Sequence, residues 1–162
     1  MQSTNISDVK IFMKKLLIDD VFDHFLLDES TITTYNTFSI NGHIQKSYYT
    51  DEEYEQLKNK DFTYWEAIKP MCFNIIKGKK TPLSFKIILK LDPEATLNFI
   101  NEQGLNNDNI VSSLYININY ENMALNCISA TSYKSFSLDK TIENAFDKYI
   151  EKFLLALIWF EC

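Results

Sequence analysis

Five lysines offer the clearest chemistry in this chain. Lys77, Lys79 and Lys80 flank Gly78 in the run Lys77-Gly78-Lys79-Lys80-Thr81-Pro82, and Lys86 and Lys90 follow in the alternating stretch Leu83 to Leu91. Ammonium groups gathered on one surface attract phosphate, nucleotide or single-stranded nucleic acid, so these five are the candidate site for an anionic ligand or a protein partner. Two general rules compete with that reading: outward lysines keep sheet edges from pairing, and helix C-termini favour cations through the dipole. A phosphate loop is excluded, because Gly78-Lys79-Lys80-Thr81 lacks the upstream glycine and follows a helical pattern instead of opening one.

Other reactive side chains are sparse. His24 sits among Asp19, Asp20, Asp23 and Asp28, a setting for acid–base work, and it is the basis of the alternative reading as an enzyme. No second fixed ligand pair with an obvious partner stands at helical spacing, and Asp-rich loops are usually solvated, so no metal and no cofactor are expected. His43 reads as exposed and inert. Cys72, Cys127 and Cys162 are far apart and form no zinc or disulfide spacing. Cys72 and Cys127 lie in apolar surroundings, where a thiol is a small hydrophobe. Ser129, Thr131, Ser132, Ser135 and Ser137 lack the Gly-x-Ser-x-Gly elbow and read as cross-strand pairs, so no catalytic residue is assigned. Tyrosines in the strand-like segments can pack in a core or stack bases, but the RNA-recognition signature is missing.

The bulk numbers narrow the classes. A net charge of −6 argues against a dedicated duplex-DNA binder, leaving a nucleic-acid-associated regulator as a third reading. The start of the chain lacks a charged segment followed by an apolar run, which predicts a cytoplasmic protein. Phe153 to Phe160 is too short an apolar run for a bilayer, so no membrane association is expected. With 162 residues, three Gly and three Pro, the chain predicts a single globular domain over 1–162, ordered except for its first few residues.

The elements that would carry these residues follow from periodicity. Ser7 is placed to cap a helix through Ile18, with Ile6 and Ile11 as a hydrophobic staple. Thr31 to Ile40 and His43 to Tyr49 flank Asn41-Gly42, which predicts a hairpin with a tight turn there. Thr50 followed by acids predicts a short helix over Asp51–Lys58. A second helix lies within Phe62 to Lys77 and is expected to start near Pro70. Leu83, Phe85, Ile87, Leu89 and Leu91 alternate toward a core, giving a one-sided strand.

Asp92-Pro93-Glu94 announces a helix that ends at Gly104, followed by a polar loop over Leu105–Asn109. Leu114 to Tyr120 and Ala124 to Phe136 form a second hairpin about Glu121-Asn122. Ser137 or Asp139 begins a long amphipathic helix carrying Ile142, Ala145, Phe146, Tyr149, Ile150, Phe153, Leu154, Leu157 and Ile158 on its apolar stripe. Its end is apolar all round: either it is wholly buried, or Leu155 and Trp159 meet a second copy in a homodimer. The order of elements echoes between residues 6–76 and 82–160, although few residues match.

Val21 to Leu27, Thr31 to Phe38, Lys77 to Leu83 and Ser129 to Phe136 together resemble a family of short uncharacterised proteins from anaerobic Gram-positive bacteria, a domain of unknown function. That resemblance implies a bacterial cytoplasmic origin and transfers no catalytic residue. The sequence therefore predicts an α+β fold: an antiparallel sheet of two hairpins plus the Leu83 strand, covered by a long C-terminal helix and an N-terminal helix. Its expected role is a binding or interaction module.

Overall fold

A computed structural model describes residues 1–105 and 111–159. Most of the Leu105–Asn109 loop, Phe160 and Cys162 lie outside the described residues, as does the side chain of Trp159. The elements run β1 (Gln2–Ile6), α1 (Val9–Leu17), β2 (Leu26–Thr33), β3 (Thr37–Asn41), α2 (Asp51–Gln56), α3 (Trp65–Ile76), β4 (Ser84–Lys90), α4 (Pro93–Glu102), β5 (Val111–Glu121), β6 (Ala124–Tyr133) and α5 (Thr141–Trp159). Six strands form one sheet in the order β1-β6-β5-β4-β2-β3, with every neighbouring pair antiparallel. The expected α+β architecture is the one observed, with α5 on β5 and β6, and α1 packed against α3 and α5.

Alternation decides which side of the sheet is dry. On β4, Phe85, Ile87 and Leu89 are buried, and the paired positions Ile32, Ser30 and Leu27 on β2 and Tyr120, Ile118 and Ile116 on β5 point the same way. Under α1, α3 and α5 these residues join Phe12, Leu16, Phe146 and Leu154 in the core. Trp65, fully buried, donates from Nε1 to the carbonyl of Leu16 at 2.8 Å, so the one polar atom of its indole is satisfied while the ring ties α3 to α1.

The opposite face stays largely wet. Across it run the registered rows Asn5-Asn126-Asn119-Lys86-Thr31-Ser39 and Ser3-Ile128-Asn117-Ile88-Glu29-Asn41, dominated by short polar side chains.

Several local expectations are corrected. Asp8 caps α1 by accepting from the Ile11 amide at 3.0 Å, one residue beyond Ser7, so Ile6 is not at the staple position and instead buries within β1. The first residues are ordered because β1 pairs along β6, a partner more than 100 residues distant. The first hairpin turns at Thr34-Tyr35-Asn36 and β3 ends at Asn41. Gly42 serves close approach instead: a Cβ there would lie 1.7 Å from the Leu27 carbonyl oxygen. Pro70 sits inside α3, which starts five residues earlier at Trp65, and α5 begins at Thr141, where Asp139 accepts from the Thr141 amide and hydroxyl.

The second hairpin turns on Asn122 and Met123, both at positive φ, one residue past the expected pair. Leu83 is 69% exposed and stands before β4, not in its core stripe. Other signals hold as read: Thr50 and Glu53 form a reciprocal capping box on α2, and Asp92 with Pro93 opens α4.

Candidate functional site

Where α1 passes the C-terminal end of α3, the two helices and the sheet leave an apolar cleft of about 760 Å³. Its floor is Phe85 and Tyr120, directly paired across β4 and β5 with rings stacked at 5.2 Å and 10°. Its walls are Met13 and Leu17 from α1 and Phe73 and Ile76 from α3. Helical spacing explains the α1 wall: Phe12 and Leu16 enter the core, while Val9, Met13 and Leu17, four apart, form an adjoining stripe that faces the cleft. Lys10 and Lys14, one position further round, reach its rim with Lys77, and Ile18 completes that rim at 60% exposure.

The segment Lys77 to Thr81 is a partition. On its other side lies a second hollow of about 450 Å³ that shares Ile76, Lys77, Gly78 and Thr81 with the cleft. Lys79, Lys80 and Leu83 line it, together with Thr34 and Tyr35 from the β2–β3 turn. Tyr35 is 86% exposed, so two large apolar side chains, Tyr35 and Leu83, stand in solvent beside two ammonium groups. Thr34 Oγ1 is buried and has no hydrogen-bond partner among the described residues.

Charge separates this region from the rest of the chain. Among the described residues no acid lines either hollow, whereas Lys10, Lys14, Lys77, Lys79 and Lys80 do. Every one of the 16 cationic side chains in the sequence is lysine, so recognition here is by flexible point charges and not by a bidentate guanidinium fork. Lys14 also reaches Asp19 at 3.8 Å, and Lys77 lies over the Phe73 ring at 5.8 Å.

The five lysines singled out in the sequence do not share one surface. Lys77, Lys79 and Lys80 border the hollows, while Lys86 and Lys90 leave β4 on the opposite face of the sheet. Because β4 lies between β2 and β5, edge protection does not account for them; they occupy the wet face of an interior strand. Lys90 is only 8% exposed, with Nζ 3.2 Å from the centre of the Phe62 ring and 5.9 Å from that of Tyr115. Burial lowers its pKa, and Asp28 and Asp61 only partly oppose the shift.

Other candidates stand apart from the hollows. His24 is exposed and lines neither of them, and Asp23 beside it is engaged by Lys69 at 2.6 Å. His43 packs on Phe62 at 4.3 Å between ring centres. Cys72 and Cys127 are buried free thiols; burial raises both pKa values, that of Cys127 to about 12. Among the described residues no group of three or more His, Cys, Asp or Glu could hold a metal ion. Leu155 is 45% exposed near β1, on α5.

A separate polar cluster ties β1 and β6 to α5. The Met1 ammonium donates to Glu143 Oε1 at 2.8 Å and Asp147 Oδ2 at 3.0 Å, Tyr133 donates to Glu143 Oε2 at 2.6 Å, and Ser129 donates to Asp147 Oδ1 at 2.6 Å. The hydrogen bond from the ammonium, then that from Tyr133, holds the Glu143 carboxyl at a pKa of about 2. Every acceptor in it is matched to a donor, and it lines neither hollow.

Lys10 and Lys14 are the site residues that reading for one basic surface missed. A signal for the region was present: Ala67 to Leu91 carries six lysines and no acid, and α1 carries three lysines and no acid, in a chain of net charge −6. What joins those two segments is the packing of α1 on α3.

No curated protein and no solved structure matches the chain. A sequence model does: that of the family of unknown function DUF5721 covers residues 15–161, and the chain belongs to that family.

Proposed function

We propose that the protein is a cytoplasmic, non-catalytic binding module whose cleft takes an amphipathic anion, its hydrocarbon body on Met13, Leu17, Phe73, Phe85 and Tyr120 and its acid group against Lys10, Lys14 and Lys77. The observation that carries this reading is the segregation of charge: a mainly apolar cleft of about 760 Å³, within the range of small-molecule sites, is lined by three lysines and, among the described residues, by no carboxylate. Dipole attraction at the ends of α3 and α1 accounts for Lys77 and Lys14 but not for Lys10, which stands in the first turn of α1, where the dipole disfavours a cation. The exposed Leu155, with Trp159 four residues on, is in the same reading the contact for a second copy of the chain.

Titration with dodecanoate and with dodecanol, followed calorimetrically, tests the proposal. The acid is expected to bind about tenfold more tightly than the alcohol, and Ile18→Asp, which puts a carboxylate among the lining residues at an exposed position, to remove that advantage. Equal affinity for acid and alcohol, or no binding of either, overturns it.

A further inference from the structure

We infer that the second hollow is the head-group site of the same ligand, and that the head is a phosphate ester carrying more than one negative charge. This rests on the reading of the cleft as a site for an amphipathic anion. The two hollows share four wall residues of the Ile76 to Thr81 segment, so one extended molecule can lie in the cleft and pass its head across that segment to Lys79 and Lys80. Gly78, at the centre of the partition, holds a φ of +153°, and a Cβ there would meet nothing within 4 Å, so the partition is open on that side.

A carboxylate is satisfied by the lysines of the cleft alone. The second hollow adds two more ammonium groups that make no ion pair among the described residues. A dianionic phosphate with three terminal oxygens matches that donor set; a single carboxylate leaves it unused. Lysine also suits this head, since an ammonium binds phosphate as a point charge. The ligand class is the phosphate monoester or diphosphate of a single-chain hydrocarbon alcohol, held as a monomer.

Three titrations below the aggregation concentration of each amphiphile decide the matter, using dodecyl phosphate, dodecanoate and inorganic phosphate on the wild-type chain and on Lys79→Gln/Lys80→Gln. Dodecyl phosphate is expected to bind about tenfold more tightly than dodecanoate, and the double variant to bring the two within about twofold while leaving dodecanoate affinity unchanged. Equal affinity of the wild-type chain for dodecyl phosphate and dodecanoate overturns the head-group assignment and leaves the cleft reading standing. Failure of both amphiphiles to bind sinks the cleft reading itself. Tight binding of inorganic phosphate alone, or displacement of dodecyl phosphate by a short single-stranded oligonucleotide at equal phosphate concentration, also overturns it, since neither supplies a hydrocarbon body.

Discussion

A single carboxylate, that of Glu143, ties the start of the chain and β6 to α5. Glu143 carries no sequence signal beyond its place in an acidic first turn, yet it receives the Met1 ammonium, the Tyr133 hydroxyl and, at 3.3 Å, Lys140. Because its folded pKa of about 2 lies below its ordinary value of 4.5, its stabilisation is full above about pH 4.5 and is lost as pH falls toward 2. Glu143→Gln is expected to cost about 1.5–3 kcal/mol at neutral pH and to flatten the stability profile across that acid window. Urea unfolding between pH 2 and 7 checks both, and an unchanged profile would show that the cluster contributes little. Lys90 was legible as an outward residue of an alternating strand, and it does leave the sheet on the outward face. Its burial under Phe62 was not legible, because Phe62 arrives from a segment 28 residues upstream.

At the scale of elements, turns test how far local chemistry reaches. Asn41-Gly42 has the composition of a tight turn, but its glycine is required by the carbonyl of Leu27 pressing on it, a contact made by a non-adjacent segment. Gly42→Ala is accordingly expected to destabilise by about 3 kcal/mol or more, measured by thermal denaturation. In the second hairpin, Asn122 and Met123 stand at φ +52° and +63°, which L-residues adopt at a cost and glycine adopts freely. Met123→Gly should therefore stabilise by about 1 kcal/mol, read as a higher urea midpoint at unchanged slope. The β4 strand and the α4 cap were legible because alternation and an Asp-Pro start are local properties. The α3 start was not: Trp65 is drawn into the helix by its burial against α1, five residues before the proline that local rules favour as the opening.

At the scale of the whole molecule, the core-covering helices α1, α3, α4 and α5 lie on one face of a six-stranded sheet, and the exposed Leu155 lies on α5. If a second copy docks there, sedimentation velocity should show a dimer that Leu155→Asp or Trp159→Asp converts to monomer. A monomer in the wild-type chain at high concentration would end that proposal. Readable along the chain are the α+β class, the alternating core stripe of β4, the long amphipathic C-terminal helix and the concentration of lysine about Gly78. These are written in the period of apolar residues and in local caps, which act over a few residues. That β4 is interior, that the five lysines divide between two faces, and that Lys10 and Lys14 join Lys77 around a cleft with no acid among its described lining residues follows from the packing. Strand order and helix packing bring together residues far apart in the chain, and the charge segregation that defines the site exists only once they have.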